Sequence, residues 1–85
     1  MGYSRDQDLI TIFGKRVRAL RIELGYSQEH FANLCDVEPS QISRIELGKI
    51  NTSITQAQKI AIALGLELKD LFDFEIDSEK PKLDN

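Results

Sequence analysis

The chain has 85 residues, 41% of them hydrophobic, with one cysteine and a formal net charge of −3. This length suits one small domain with a modest core, the lone cysteine excludes an intramolecular disulfide, and no apolar run reaches the ~20 residues of a membrane-spanning helix. The charge is uneven, with nine Lys/Arg and nine Asp/Glu in residues 1–72 but two and five in residues 73–85, so a neutral body with a local basic face remains compatible with a polyanionic partner.

Residues 1–8 are polar and are expected to form a flexible N-terminus, with no signal-peptide pattern. From there apolar residues fall at Leu9, Phe13, Val17, Leu20 and Leu24, which is helical spacing. Lys15 and Arg18 lie on the opposite side, and Gly25 stops the helix. Ser27 is a good N-cap for a second helix over 28–35, with Gln28 and Glu29 in its first turn. Phe31, Ala32, Leu34 and Cys35 are expected to face inward. The turn Asp36-Val37-Glu38-Pro39 follows. Val37 fills its corner, Glu38 is a poor cap, and Pro39 suits the first position of a third helix.

That third helix ends before Gly48, and Lys49, Ile50, Asn51 and Thr52 form a loop. Ser53 with Gln56 makes a capping-box signature for a fourth helix over 54–64. Its inward residues are Ala57, Ile60, Ala61 and Leu64. After Gly65, the residues Leu66, Leu68, Leu71 and Phe72 read as a short fifth helix. Asp73 to Asp77 alternates acidic and apolar residues and is expected to form a short strand in an acidic tail over 73–85, with 78–85 disordered. The expected fold is an all-α, five-helix domain over residues 9–72.

The third helix carries the functional signal. At ~100° per residue, Ile42, Ile45 and Glu46 face inward. Ser40, Ser43, Arg44 and Leu47 face outward, with Pro39 and Gln41 at the edges. Small polar side chains and one arginine, with no acid among them, suit close approach to base edges. Arg44 can pair bidentately with guanine, a contact worth ~1–3 kcal/mol of discrimination. Ser40 and Gln41 can bond bases or phosphate, and Ser43 can sit near the backbone. Such a face taken alone is more often merely solvated, but its flanks add weight. Ser27 and Gln28 begin a helix whose N-terminus attracts phosphate, and Lys49, Asn51, Thr52 and Ser53 are phosphate-capable donors in the loop beyond. The inward Glu46 needs a partner, and Arg21, at the edge of the first helix's apolar arc, is expected to pair with it in a structural ion pair.

Three motifs, Gly25-Tyr26-Ser27-Gln28-Glu29, Ser40-Gln41-Ile42-Ser43-Arg44-Ile45-Glu46 followed by Gly48-Lys49, and Ile60-Ala61 followed by Ala63-Leu64-Gly65, jointly resemble the phage-repressor and Cro-like (XRE) family of helix-turn-helix proteins. The resemblance covers about residues 13–72. It implies a lambda-repressor-like fold with the motif at 28–47 and recognition helix 39–47 in the major groove. It also implies DNA contacts at Gln28, Pro39, Ser40, Gln41 and Arg44, and a structural bridge between Arg21 and Glu46. Pro39 and Asp36 depart from the family pattern, which often has a polar residue and a glycine there. The implied role is a small cytoplasmic transcriptional regulator on a double-stranded, palindromic DNA operator. Two family roles fit: an autoregulating controller of a restriction–modification or mobile-element operon, or an antitoxin that represses its own operon, and the protein partner that such roles imply is a toxin or a polymerase subunit.

Ile62 stands on the otherwise polar side of the fourth helix. With Leu66, Leu68, Phe74 and Ile76 it is expected to build the interface of a homodimer. The competing reading is a protein-interaction module that binds a partner through the acidic tail and the fourth and fifth helices. His30 and Cys35, five residues apart, diverge by ~140° on a helix and make neither a nucleophile–base pair nor a zinc site. The five glycines are isolated, so no phosphate loop is present. No catalytic residue, metal ligand or cofactor is therefore expected.

Overall fold

Five helices follow one another: α1 (Tyr3–Glu23), α2 (Gln28–Cys35), α3 (Pro39–Glu46), α4 (Ile54–Ala63) and α5 (Leu68–Leu71). The computed structural model describes residues 3–75, with residues 3–6 described by their backbone alone. Among the described residues no helix is long and apolar enough to cross a membrane.

α1 begins at Tyr3 and not at Leu9, so residues 3–8 of the segment expected to be flexible are helical, and residues 1–2 lie outside the described residues. A tertiary anchor accounts for this. The Gln7 side-chain amide donates to Thr11 Oγ1 at 3.0 Å and to the Gly48 carbonyl at 3.0 Å, which ties the helix start to the end of α3. Of the apolar arc on α1, Phe13 and Val17 are buried, while Leu9 and Leu24 at its ends stay exposed. At Gly14 the backbone of α1 meets that of α3. A Cβ built there would collide with the Ile45 carbonyl oxygen and lie 2.9 Å from that of Glu46.

The core joins Phe13 and Val17 to Phe31, Ala32 and Cys35 of α2, Ile42 and Ile45 of α3, Ala57, Ile60 and Ala61 of α4, and Leu64 and Leu71. Leu34 does not join it and is 47% exposed. Phe31, Ala32 and Cys35 define the buried arc of α2, and Leu34 points about 100° away from the centre of that arc.

Local capping sets the helix ends. Ser27 Oγ accepts from the His30 N–H at 3.0 Å, and Ser53 Oγ accepts from the Gln56 N–H at 3.0 Å. The capping box expected at Ser53 is only half formed, because the Gln56 side chain instead accepts from the Gln41 amide at 3.3 Å. Glu38 makes no side-chain cap for α3.

α5 closes the bottom of the core. The Arg16 guanidinium of α1 donates to the Asp70 carbonyl at 2.8 Å, and the Phe72 ring stacks on Phe13 with centroids 5.2 Å apart. Residues 73–75 are not a strand, contrary to expectation. The Phe74 N–H turns back to the Phe72 carbonyl at 2.9 Å, and the Phe74 side chain packs against the core. A strand needs a neighbour to complete its hydrogen bonds, and the helices here supply no sheet edge. The rest of the expected strand, Ile76 and Asp77, and the segment 78–85 lie outside the described residues.

The tightest bend lies between α2 and α3. Asp36 takes φ 60 and ψ 45, the left-handed region, where a Cβ costs ~1–2 kcal/mol, less for Asp than for most residues. Its N–H reaches the Asn33 carbonyl at 3.1 Å and the Val37 N–H reaches Ala32 at 3.0 Å, closing the helix. Asp36→Gly is expected to stabilise the chain by about 0.5–1 kcal/mol, since glycine's greater unfolded-state entropy offsets part of the relieved strain. A urea midpoint that falls would contradict this.

Candidate nucleic-acid interface

α3 is held at its back and open at its front. Ile42, Ile45 and Glu46 are buried, whereas Pro39, Ser40, Arg44 and Leu47 are exposed. The buried side is fixed on α1 by a two-toothed ion pair. Arg21 Nε donates to Glu46 Oε2 at 2.6 Å and Arg21 Nη2 to Oε1 at 3.0 Å. Arg21 Nη1 donates to the Tyr26 carbonyl at 2.7 Å. The Gln28 amide donates to the same Glu46 Oε1 at 2.9 Å. Arg21 and Glu46 are 8% and 6% exposed, and charges buried this deeply are tolerated because almost every polar atom has a partner. The network joins the end of α1, the start of α2 and the end of α3, so the entry and exit of the helix-turn-helix share one anchor.

The far end of α3 is fixed as well. Gly48 takes φ +71, and a Cβ there would meet the Thr11 backbone of α1 at 3.1 Å. Its N–H donates to the Ile45 carbonyl at 3.0 Å, and the Lys49 N–H donates to the Arg44 carbonyl at 2.8 Å. Residues 47–49 therefore leave the helix along one defined path.

The structure places the expected contact residues in three groups. Pro39, Ser40 and Arg44 lie exposed on one side of α3, and Ser43 is half-buried at its edge. Arg44 enters no ion pair among the described residues. Ser27, Lys49 and Asn51 are exposed on the flanks. The N–H groups of Gln28 and Glu29, at the positive end of α2, take no part in the Ser27 cap. Gln28, Gln41 and Thr52 sit differently. Gln28 spends its amide donor on Glu46 and keeps its carbonyl oxygen for a further bond. Gln41 is half-buried and tied to Gln56. The Thr52 hydroxyl is buried without a hydrogen-bond partner, so it does not face outward beside Lys49 and Asn51. Leu47, to which the helical wheel gave no role, is 64% exposed on the same face as Arg44.

The residues expected to build a dimer patch differ in their exposure. Ile62 is exposed, but Leu66, Leu68 and Phe74 are half-buried against the core. Ile76 lies outside the described residues. Sequence reasoning missed a different apolar region, a groove of about 350 Å³ between α1, the loop after α3 and α5. Its walls include Phe13, Ile50, Ala57 and Leu68, and its rim carries Leu9, Phe72 and Ile54, the last 80% exposed.

The remaining chemistry is sparse. The His30 ring meets Tyr26 edge-on at 5.1 Å. Cys35 is buried, and desolvation pushes its thiol up to about 11, partly countered by the charge of Lys59, so it stays a neutral core side chain at physiological pH. Among the described residues no three His, Cys, Asp or Glu side chains come together as a metal site.

A short helix-turn-helix braced by a third helix, with a polar arginine-bearing face turned outward, defines a domain of the repressor type. The chain belongs to the helix-turn-helix family of the XRE type, whose family model matches residues 17–71. It is 44% identical over 64 residues to the Control protein C.BamHI of Bacillus amyloliquefaciens, covering 74% of this chain and 79% of that one. It is 38% identical over 73 residues to the Control protein C.MunI of a Mycoplasma species, covering 85% and 97%. Its fold is similar to the crystal structure of the restriction-modification controller protein C.AhdI from Aeromonas hydrophila, with a TM-score of 0.72, 40% identity, and coverage of 76% of this chain and 97% of that one.

Proposed function

We propose that the chain is a sequence-specific transcriptional regulator that binds double-stranded DNA with α3 in the major groove. The observation that carries this reading is the two-sidedness of α3: its back is locked on α1 through Arg21 and Glu46, while Ser40 and Arg44 stand exposed on its front. In this reading Arg44 pairs with a guanine, and Ser40, Gln41 and Ser43 bond base edges or the nearby backbone. Ser27, the start of α2, Lys49 and Asn51 grip phosphates on either side. Pro39 offers only apolar contact, and Thr52 contributes through its backbone because its hydroxyl is turned inward.

The chain acts as a homodimer on a palindromic operator, which sets two copies of α3 about one DNA turn apart, ~34 Å. Its similarity to proteins named as control proteins favours a controller of a restriction–modification operon over an antitoxin. The expected site of action is the cytoplasm.

Arg44→Ala tests the reading. Its affinity for an operator found by in vitro selection should fall about ten- to a hundred-fold, while affinity for a scrambled duplex changes little. Equal losses on both duplexes would show that Arg44 serves only as a charge. Binding to neither duplex by the unaltered chain would remove the reading altogether.

A further inference from the structure

Leu47 is an apolar side chain at the middle of a polar face. At 100° per residue it falls 20° from Ser40, 40° from Ser43 and 60° from Arg44, and about 160° from the buried Ile45. It keeps right-handed helical geometry, with φ −87 and ψ 0. It is 64% exposed.

The position is also rigid. The Leu47 N–H donates to the Ser43 carbonyl at 3.0 Å. The next residue, Gly48, is pressed against Thr11 and accepts the Gln7 amide on its carbonyl at 3.0 Å. The backbone therefore fixes the direction in which the Leu47 side chain leaves α3, and the side chain carries no hydrogen-bonding group. An aliphatic side chain on a base-reading face has one complementary group in the major groove, the C5 methyl of a pyrimidine.

We propose that Leu47 is a specificity-determining residue that reads the C5 methyl of a pyrimidine in each half-site. The inference rests on α3 entering the major groove. Leu47 lies three residues beyond Arg44, about 4.5 Å along the helix axis. Its target methyl therefore lies one or two base pairs from the base that Arg44 contacts, at ~3.4 Å per pair. Two bases carry this group, thymine and 5-methylcytosine. A preference for either is set by apolar contact and needs no hydrogen bond.

The test is fluorescence anisotropy on the selected operator, with each thymine replaced in turn by deoxyuridine, which lacks only the methyl. For the full-length chain, one replacement per half-site should weaken binding about four-fold, as expected for one methyl-sized group left without its apolar neighbour. Leu47→Ala should bind the thymine and deoxyuridine duplexes equally, and Leu47→Met, which keeps apolar reach, should restore most of the difference. A second pair of duplexes with cytosine or 5-methylcytosine at that position separates the two sources. Tighter binding to the methylated pair adds 5-methylcytosine, and no difference there, with the thymine effect intact, confines the reading to thymine. The inference is overturned if the unaltered chain tolerates every deoxyuridine, or if the penalty persists unchanged in Leu47→Ala. In either case Arg44-dependent operator binding would survive, so the groove-binding reading would stand without it.

Discussion

Glu46→Ala is expected to cost about 3–5 kcal/mol of folding stability, the range found when one partner of a buried ion pair is removed. The geometry explains the size. Glu46 accepts two hydrogen bonds from Arg21 at 2.6 and 3.0 Å and one from Gln28 at 2.9 Å. Without the carboxylate, the Arg21 guanidinium stays buried at 8% exposure, with the Tyr26 carbonyl as its remaining partner. A domain of this size has a total stability on the order of 5–15 kcal/mol, so the variant should be partly unfolded at 37 °C. Glu46→Gln keeps an acceptor for one tooth of the guanidinium and should lose clearly less. Replacing both residues, as Arg21→Met with Glu46→Leu, should recover most of the loss, because the cost lies mainly in the orphaned charge. Urea denaturation followed by circular dichroism reads all three. A Glu46→Ala midpoint within about 1 kcal/mol of the parent would sink the account.

The same network explains which parts of the structure could be read from the chain. Helices with a local signal were legible. Ser27 and Ser53 cap within three residues of themselves, and the limits of α2 follow from Ser27 and the left-handed Asp36. The Arg21–Glu46 pairing could be read because a carboxylate on the inward side of α3, beside Ile42 and Ile45, needs a counter-charge, and Arg21 stands at the edge of the apolar arc of α1. Features set by how the helices cross were not legible. The Gln7 bond to Gly48 spans 41 residues, so the polar opening of α1 gave no hint that it would be anchored. Leu34 lies about 100° from the centre of the arc of Phe31, Ala32 and Cys35, so its exposure follows from the wheel itself, whereas Thr52 stands in a loop without a period, where the sequence carries no signal for the inward turn of its hydroxyl. The apolar groove beside Ile54 gave no signal either, since its walls come from three separated stretches of chain.

Residue types on the front of α3 came directly from the pattern, but their availability did not. Gln28 and Gln41 both have donors committed inside the protein. The free front is therefore narrower than the wheel suggests: Ser40, Arg44 and Leu47 at its centre, with Ser43 at its edge. A narrow front places more of the discrimination on Arg44, which is why its removal should separate operator from scrambled duplex so clearly.

Gly14→Ala is expected to destabilise the chain by about 3 kcal/mol or more, the upper end of the overpacking range. The direction opposes local propensity, because alanine inside a helix is worth up to ~1 kcal/mol over glycine. A glycine in mid-helix that gives up this stabilisation usually marks a close approach, and here the approach is of backbone to backbone. The added Cβ would collide with the Ile45 carbonyl oxygen and press on that of Glu46 at 2.9 Å. Neither carbonyl can swing aside without breaking α3, so the two helices must part. Parting them loosens Phe13 and Val17 from Ile42 and Ile45 in the shared core and stretches the Arg21–Glu46 bridge that spans the same two helices. Because both changes act on one contact between α1 and α3, Gly14→Ala combined with Glu46→Gln should cost less than the sum of the two alone. Whatever Gly14→Ala protein remains folded at low temperature should bind the selected operator more weakly, since α3 no longer sits at the same height above α1. Urea midpoints and operator affinity at 10 °C measure both effects, and a midpoint equal to or above that of the parent chain would mean that α1 and α3 are not in backbone contact at Gly14.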